Sequence, residues 1–388
     1  MEQDQPVPES LSFNRHIMEI LFHPTHDIIA AGLVNGRVEI HKYASDGSEN
    51  QQLHALNHHR RASCRALLFS DDGRFLFTGS TDRTLQAVDV ESGQVMLRQA
   101  QAHREPINLL HRINDHMIVS GCDGGTVNFW DLRSRTVVSS LEVASDFISD
   151  AVFNETHSTL VTTSGDGTLS AIDTSQRKLI ATSSQMDDEL LSIQMVRDGR
   201  RLAVGTQSGV INIWDWGLWG DHIDRFPGHP ESVDTMVPVT SNLLLTGSSD
   251  GLIRVVSVHP NKLLGVVGSH EDFPIERLRV DRHGSLLASA SHDQTIRFWG
   301  VDFLRTDGGS AAGEFDDSNL NPNFQLEDEC MSVSDEMSCD DDGDDSDSDS
   351  DDAEFANGVV GQPLSAPSLA TVSKRMKSRQ GKGFFGGL

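Results

Sequence analysis

Apolar residues in the first three quarters of this chain fall in short alternating runs separated by polar turns, without the longer stripes of helices. The clearest unit is LLASASHDQTIRFW, residues 286–299. Leu286 to Ser289 is apolar and small, Ser291 to Gln294 carries turn chemistry, and Thr295 to Trp299 alternates polar with apolar as a half-buried strand does. The pattern recurs seven times. Its turn position is held by Asn35, Asp82, Gly124, Asp166, Ser208, Asp250 and Asp293, and its strand end by His41, Val88, Trp130, Ile172, Trp214, Val256 and Trp299. Both series step by 47, 42, 42, 42, 42 and 43 residues.

A strand-patterned repeat of that length, ending in Trp-Asp at Trp130-Asp131 and Trp214-Asp215, predicts an all-β, seven-bladed WD-repeat β-propeller. Each sequence copy is expected to supply the outer strand of one blade and the inner three of the next. The last blade then borrows its outer strand from around Leu11 to Phe13, which leaves no open seam. The expected organisation is a disordered leader over 1–10, the propeller over 11–305, a disordered Ser/Asp-rich acidic segment over 306–373, and a basic run with a terminal FFGGL over 374–388. Copies four and five are the most degenerate, lacking Gly-His before their first strand.

Charge narrows the partners. The chain carries a net charge of −27, with net −14 from residue 306 onward and −13 before it. Even the folded part repels phosphate, so the propeller is not expected to bind nucleic acid through a broad basic face. No apolar run approaches the roughly 20 residues of a membrane span, so no membrane partner is expected. Four cysteines without a CxxC or His/Cys ligand spacing predict neither a disulfide framework nor a zinc site. The insertion after copy one carries His54, His58 and His59, read as a solvated loop with one blade-capping histidine.

Catalytic chemistry has little to stand on, because no P-loop, GxSxG or HExxH is present and no cofactor is implied. His270, Ser289 and Asp293 mimic a catalytic triad, but with Trp299 they occupy positions that staple a blade by buried hydrogen bonds. Copy six keeps His229, Thr246 and Asp250, and copy three keeps His103, Ser120 and Trp130 with Gly124 at the acid position.

Binding residues stand out where copies depart from the repeat. Copy three ends WDLR, and this WDxR resembles the box by which WD-repeat proteins dock onto the damaged-DNA-binding adaptor of cullin-4 ubiquitin ligases. The resemblance implies Trp130, Asp131 and Arg133 as the docking residues, although Gly124 stands where that box usually has Asp. Past Trp214, Trp216, Leu218 and Trp219 continue beyond the strand, either as an interface or as cover for the outer blade edge. In the tail, Ser346 and Ser348 each have an acid three residues on, which suits an acidophilic kinase, while a solubilising role is the alternative. Lys374, Arg375, Lys377, Arg379 and Lys382 read as a nuclear localisation signal or a solvated stretch, and Phe384, Phe385 and Leu388 as a docking motif.

Several stretches together resemble the WD repeat-containing protein 55 family: AAGLVNG (30–36), SCRALLFSDDGRFL (63–76), AHREPIN (102–108), SGDGTLS (164–170), DRFPGHPESVDTMVPV (224–239) and SHEDFPIE (269–276). The order of acidic segment, basic run and terminal FF is similar too. The resemblance implies a non-enzymatic scaffold of the nucleus and nucleolus, some of it cytoplasmic, supporting ribosomal RNA synthesis or processing. It further implies ribosome-biogenesis factors as protein partners and a chain that works as a monomer within complexes. Plant-type members are linked to the cullin-4 adaptor, which implies the alternative of a ligase substrate receptor.

Overall fold

The computed structural model describes residues 7–44 and 48–306. Seven antiparallel four-stranded sheets, each an up-and-down meander, form the blades of one closed ring. We number blades 1 to 7 along the chain and strands a to d from the channel outward. Blade 1 begins with Ile17–Phe22, and blade 7 consists of Ile275–Val280, Leu286–Ser291 and Thr295–Gly300 with Leu11–Ser12 as its outer strand. Leu11 pairs with Ile296 and Ser12 with Thr295, so the expected closure by the N-terminus is present.

Between neighbouring blades lies an apolar cluster, and each of the seven junctions has one. The b strands are buried almost end to end, as in Thr159–Ser164 and Leu286–Ser291, because they are covered on both faces by adjoining blades. This explains their unbroken small and apolar residues, whereas the half-exposed d strands alternate. Each buried Leu or Ile contributes about 1.5–3 kcal/mol relative to exposure.

Two features add to the strand at the seam. Glu19 in blade 1 accepts from Arg277 Nε at 3.1 Å and from Arg279 Nη2 at 2.8 Å, both in blade 7, and Asp27 accepts from Arg282 at 2.6 Å. Glu19 is buried, so removing its charge would take from two arginines the carboxylate they share. The leader, expected to be loose to residue 10, is already laid against the ring at its end: Pro8 is buried and the Glu9 carbonyl accepts from Asn50 at 2.7 Å. Its proximity to the closing strand fixes it there. Residues 1–6 and the acidic and basic segments, including Ser346, Ser348, Lys374, Arg375, Lys377, Arg379 and Lys382, lie outside the described residues.

Tight b–c turns set the blade register. Gly251 has φ +81°, and a Cβ there would overlap the carbonyl of Glu271, so both conformation and space require glycine.

Candidate interaction sites

Because strands alternate in direction, a–b and c–d turns share one face of the ring, and b–c turns and d–a connections share the other. Arg133 lies in the c–d turn of blade 3, just past the strand Thr126–Asp131. Its guanidinium is gripped by Asp131 through Nε to Oδ1 at 3.2 Å and Nη2 to Oδ2 at 2.9 Å, while the backbone N–H of Arg133 also donates to Asp131. These bonds, the guanidinium's first, hold the Asp131 carboxyl well below the usual carboxylate range and raise the Arg133 pKa. The Arg133 side chain is nevertheless 69% exposed. It is a preorganised cation on an open surface, suited to a partner's acidic or carbonyl groups. Trp130 is buried in the junction of blades 2 and 3 and donates to Ser120 Oγ at 2.8 Å, so it supports the turn from beneath.

Trp216 and Trp219 occupy the same face in blade 5. They are half-buried, meet edge-to-face at 5.0 Å, and pack on the cluster between blades 4 and 5, with His157 stacked on Trp216 at 5.5 Å. Leu218, 60% exposed, is the large apolar side chain of residues 216–219 that stands in solvent.

The apparent triad is a staple. His270 pairs with Ser289 Oγ at 2.6 Å and Asp293 at 2.8 Å, and Trp299 Nε1 donates to the same Ser289 oxygen at 2.8 Å. His270 and Ser289 are fully buried, which withdraws the would-be nucleophile from any substrate. Copy three retains His103–Ser120 at 2.6 Å, but copy six departs from expectation. There His229 meets Thr246 at 2.8 Å while Asp250 pairs with Arg254 at 2.7 Å, because an arginine four residues on reaches the carboxylate. The one blade-capping histidine expected in the insertion, without a choice among three, is His59, which meets Thr78 at 2.8 Å and Asp82 at 3.3 Å in blade 2. The signal was available: His59 precedes Thr78 and Asp82 by 19 and 23 residues, the same offsets as His270 to Ser289 and Asp293.

Sequence reading missed the axial channel. Its wider chamber, about 680 Å³, opens toward the Arg133 face and is lined by Leu21, Leu68, Arg112, Phe153 and Arg279 among others. Deeper in, Asp150 accepts backbone N–H groups of Ala151 at 2.8 Å and Ile193 at 3.1 Å, and burial pushes its carboxyl pKa up. Among the described residues no group of His, Cys, Asp and Glu is arranged to hold a metal ion.

The repeat count, the closed ring and the staples leave the family to be decided by comparison. A family model described as WDR55 matches residues 8–304. The chain is 38% identical over 300 residues to WD repeat-containing protein 55 of Rattus norvegicus, covering 77% of this chain and 78% of that one. This chain belongs to the WD repeat-containing protein 55 family. The human protein of that name is 36% identical over 299 residues, covering 77% of this chain and 78% of its own. The Dictyostelium discoideum homolog is 38% identical over 296 residues, covering 76% and 71%. The family assignment spans every blade, and with the propeller it supports a protein-interaction scaffold of the usually non-catalytic WD-repeat kind.

Proposed function

We propose that this member of the WD repeat-containing protein 55 family is a scaffold of the nucleus and nucleolus, with some in the cytoplasm, that supports ribosomal RNA synthesis or processing by gathering ribosome-biogenesis proteins. Family membership over residues 8–304 carries the reading. The stapled blades support it, since they commit the chain's triad-like residues to stability and leave its faces for partners. Localisation is assigned to Lys374, Arg375, Lys377, Arg379 and Lys382, and deletion of residues 374–382 tests it by imaging. Loss of nucleolar signal is expected, and retention would refute the assignment.

A second reading is favoured by Arg133: docking onto the adaptor of a cullin-4 ubiquitin ligase through Trp130, Asp131 and Arg133. The exposed, carboxylate-clamped guanidinium supports it. Trp216 and Trp219, on the same face, are proposed to extend that contact through Leu218. Arg133→Ala is expected to leave the melting temperature unchanged and to abolish co-purification of the adaptor. Equal recovery with the variant would remove this reading and leave the scaffold reading intact.

A further inference from the structure

On the b–c and d–a face, opposite Arg133, the channel narrows to a cavity of about 320 Å³. Its wall is built from one repeated position, the second residue of each a strand, so seven copies of one site have diverged into a ring of different chemistries. Two acids of adjacent blades, Asp234 and Glu276, stand together, flanked by the apolar Leu191 of blade 5 and Met18 of blade 1, while Phe147 belongs to blade 4 farther round the ring.

Each acid spends one oxygen on the protein. Asp234 Oδ2 accepts from Ser232 at 3.1 Å and Ser249 at 2.8 Å, and Glu276 Oε2 pairs with His292 at 3.1 Å. Asp234 Oδ1 and Glu276 Oε1 meet no donor among the described residues. The cations nearby are already engaged. Arg65 lies on Asn108 at 2.9 Å and Asp123 at 3.5 Å, and Arg277 is held by Glu19 and by the carbonyls of Asp234 and Glu276. Burial, followed by the nearby charge of Glu276, pushes the Asp234 carboxyl above its ordinary pKa although two serines donate to it. Glu276, against its burial, is held below its ordinary pKa by His292 and then by the charges of Arg277 and Arg65, so the acid of the pair left uncompensated is Asp234.

We propose that this cavity takes a basic side chain, arginine in preference to lysine, from an extended segment of a partner protein. The two free carboxylate oxygens offer a planar, multi-donor head two acceptors on neighbouring blades, and the flanking Leu191 and Met18 accommodate its methylene stem. Three carboxylates, Asp123 included, outnumber Arg65 and Arg277 in this lining, and both arginines are already paired, which disfavours a phosphate group. The proposal does not rest on the Arg133 reading, because the two sites lie on opposite faces.

The test uses the full chain against arrayed peptides with a fixed central arginine, lysine, citrulline or glutamate and varied flanks. Citrulline keeps the shape of arginine without its charge. The variants are Asp234→Asn/Glu276→Gln, which keeps the serine and histidine acceptors, and Leu191→Trp, which fills the cavity without changing charge. Glu276→Gln alone is read if the double variant fails to fold. Retention in the order arginine, lysine, citrulline is expected, with a loss of roughly tenfold or more in both variants at unchanged melting temperature. The acidic C-terminal segment also attracts basic peptides, but it is the same in every variant. Retention that neither variant lowers therefore belongs to that segment and overturns the proposal. Preference for glutamate, retention of no peptide, or a loss in Leu191→Trp alone would also overturn it.

Discussion

Blades 7 and 3 began as the same repeat and now differ in where their polar groups are directed. In blade 7 His270, Ser289, Asp293 and Trp299 satisfy one another, and Arg297 adds a further bond to Asp293 at 3.2 Å. Blade 3 keeps His103, Ser120 and Trp130 but has Gly124 at the turn. Its acid, Asp123, stands one place earlier and serves the channel mouth, bonded to Asn108 and Arg65. Its other departure, Arg133, reaches into solvent. Blade 7 commits its turn residues to that network and meets the cavity through Glu276, whereas blade 3, which leaves the network incomplete, offers chemistry on both faces.

The largest effect tests what blade 7 depends on before any staple forms. Removal of residues 1–15 deletes its outer strand, and the melting temperature is expected to fall by about 10 °C or more, since an open seam exposes both a strand edge and the blade 1 cluster. An unchanged thermal curve would sink the closure account.

Ser289→Ala and Ser120→Ala compare the two blades directly. In blade 7 the change strands the Trp299 N–H, His270 and the orientation of Asp293, for an expected cost of about 2–3 kcal/mol. In blade 3 no turn acid is involved and about 1–2 kcal/mol is expected. Chemical denaturation measures both, and equal costs would show that Asp293 adds nothing to the network.

Acidification sharpens the contrast. His103, with no carboxylate partner, is lowered by burial to about 4, as is His229, whereas burial also lowers His270 but Asp293 opposes it. A histidine whose folded pKa lies below its unfolded value of 6.5 costs nothing above that value. Stability is lost as pH falls from there toward 4, because the unfolded chain binds the proton first. Each of His103 and His229 is expected to cost about 2 kcal/mol by pH 5. His103→Asn should flatten that slope in thermal scans taken between pH 7 and 5, and an unaltered slope would assign it elsewhere.

The smallest effect is a repair. Gly124 has no positive φ, and a Cβ there meets the flexible Glu105 side chain at 3.1 Å and Cys122 Sγ at an ordinary contact distance of 3.9 Å. Gly124→Asp should give His103 its missing carboxylate, raise its pKa and stabilise the protein by about 0.5–1 kcal/mol. A histidine resonance that still titrates near 4 would show that the new acid does not reach it.

Much of this was legible in sequence because it repeats. The blade count, the strand register and the His270 staple follow from spacing, since each blade must bury the same faces in the same order. The WDLR departure was legible for the opposite reason, as an exception at a counted position. What repetition could not reveal was whether a side chain meets its neighbour in the next blade or across the channel. Glu19 and Arg277 are 258 residues apart and pair only because the ring closes.

Sequence alone therefore determined the family, the seven-bladed ring and the residues that hold each blade, because local strand pattern and period are short-range properties. Tertiary structure decided that Asp250 prefers Arg254, that His59 is a staple, and that Trp216 and Trp219 lie half-covered at a blade junction. It also decided that seven equivalent a-strand residues converge on one cavity. Convergence is a consequence of closure, and closure brings together residues whose separation along the chain carries no signal.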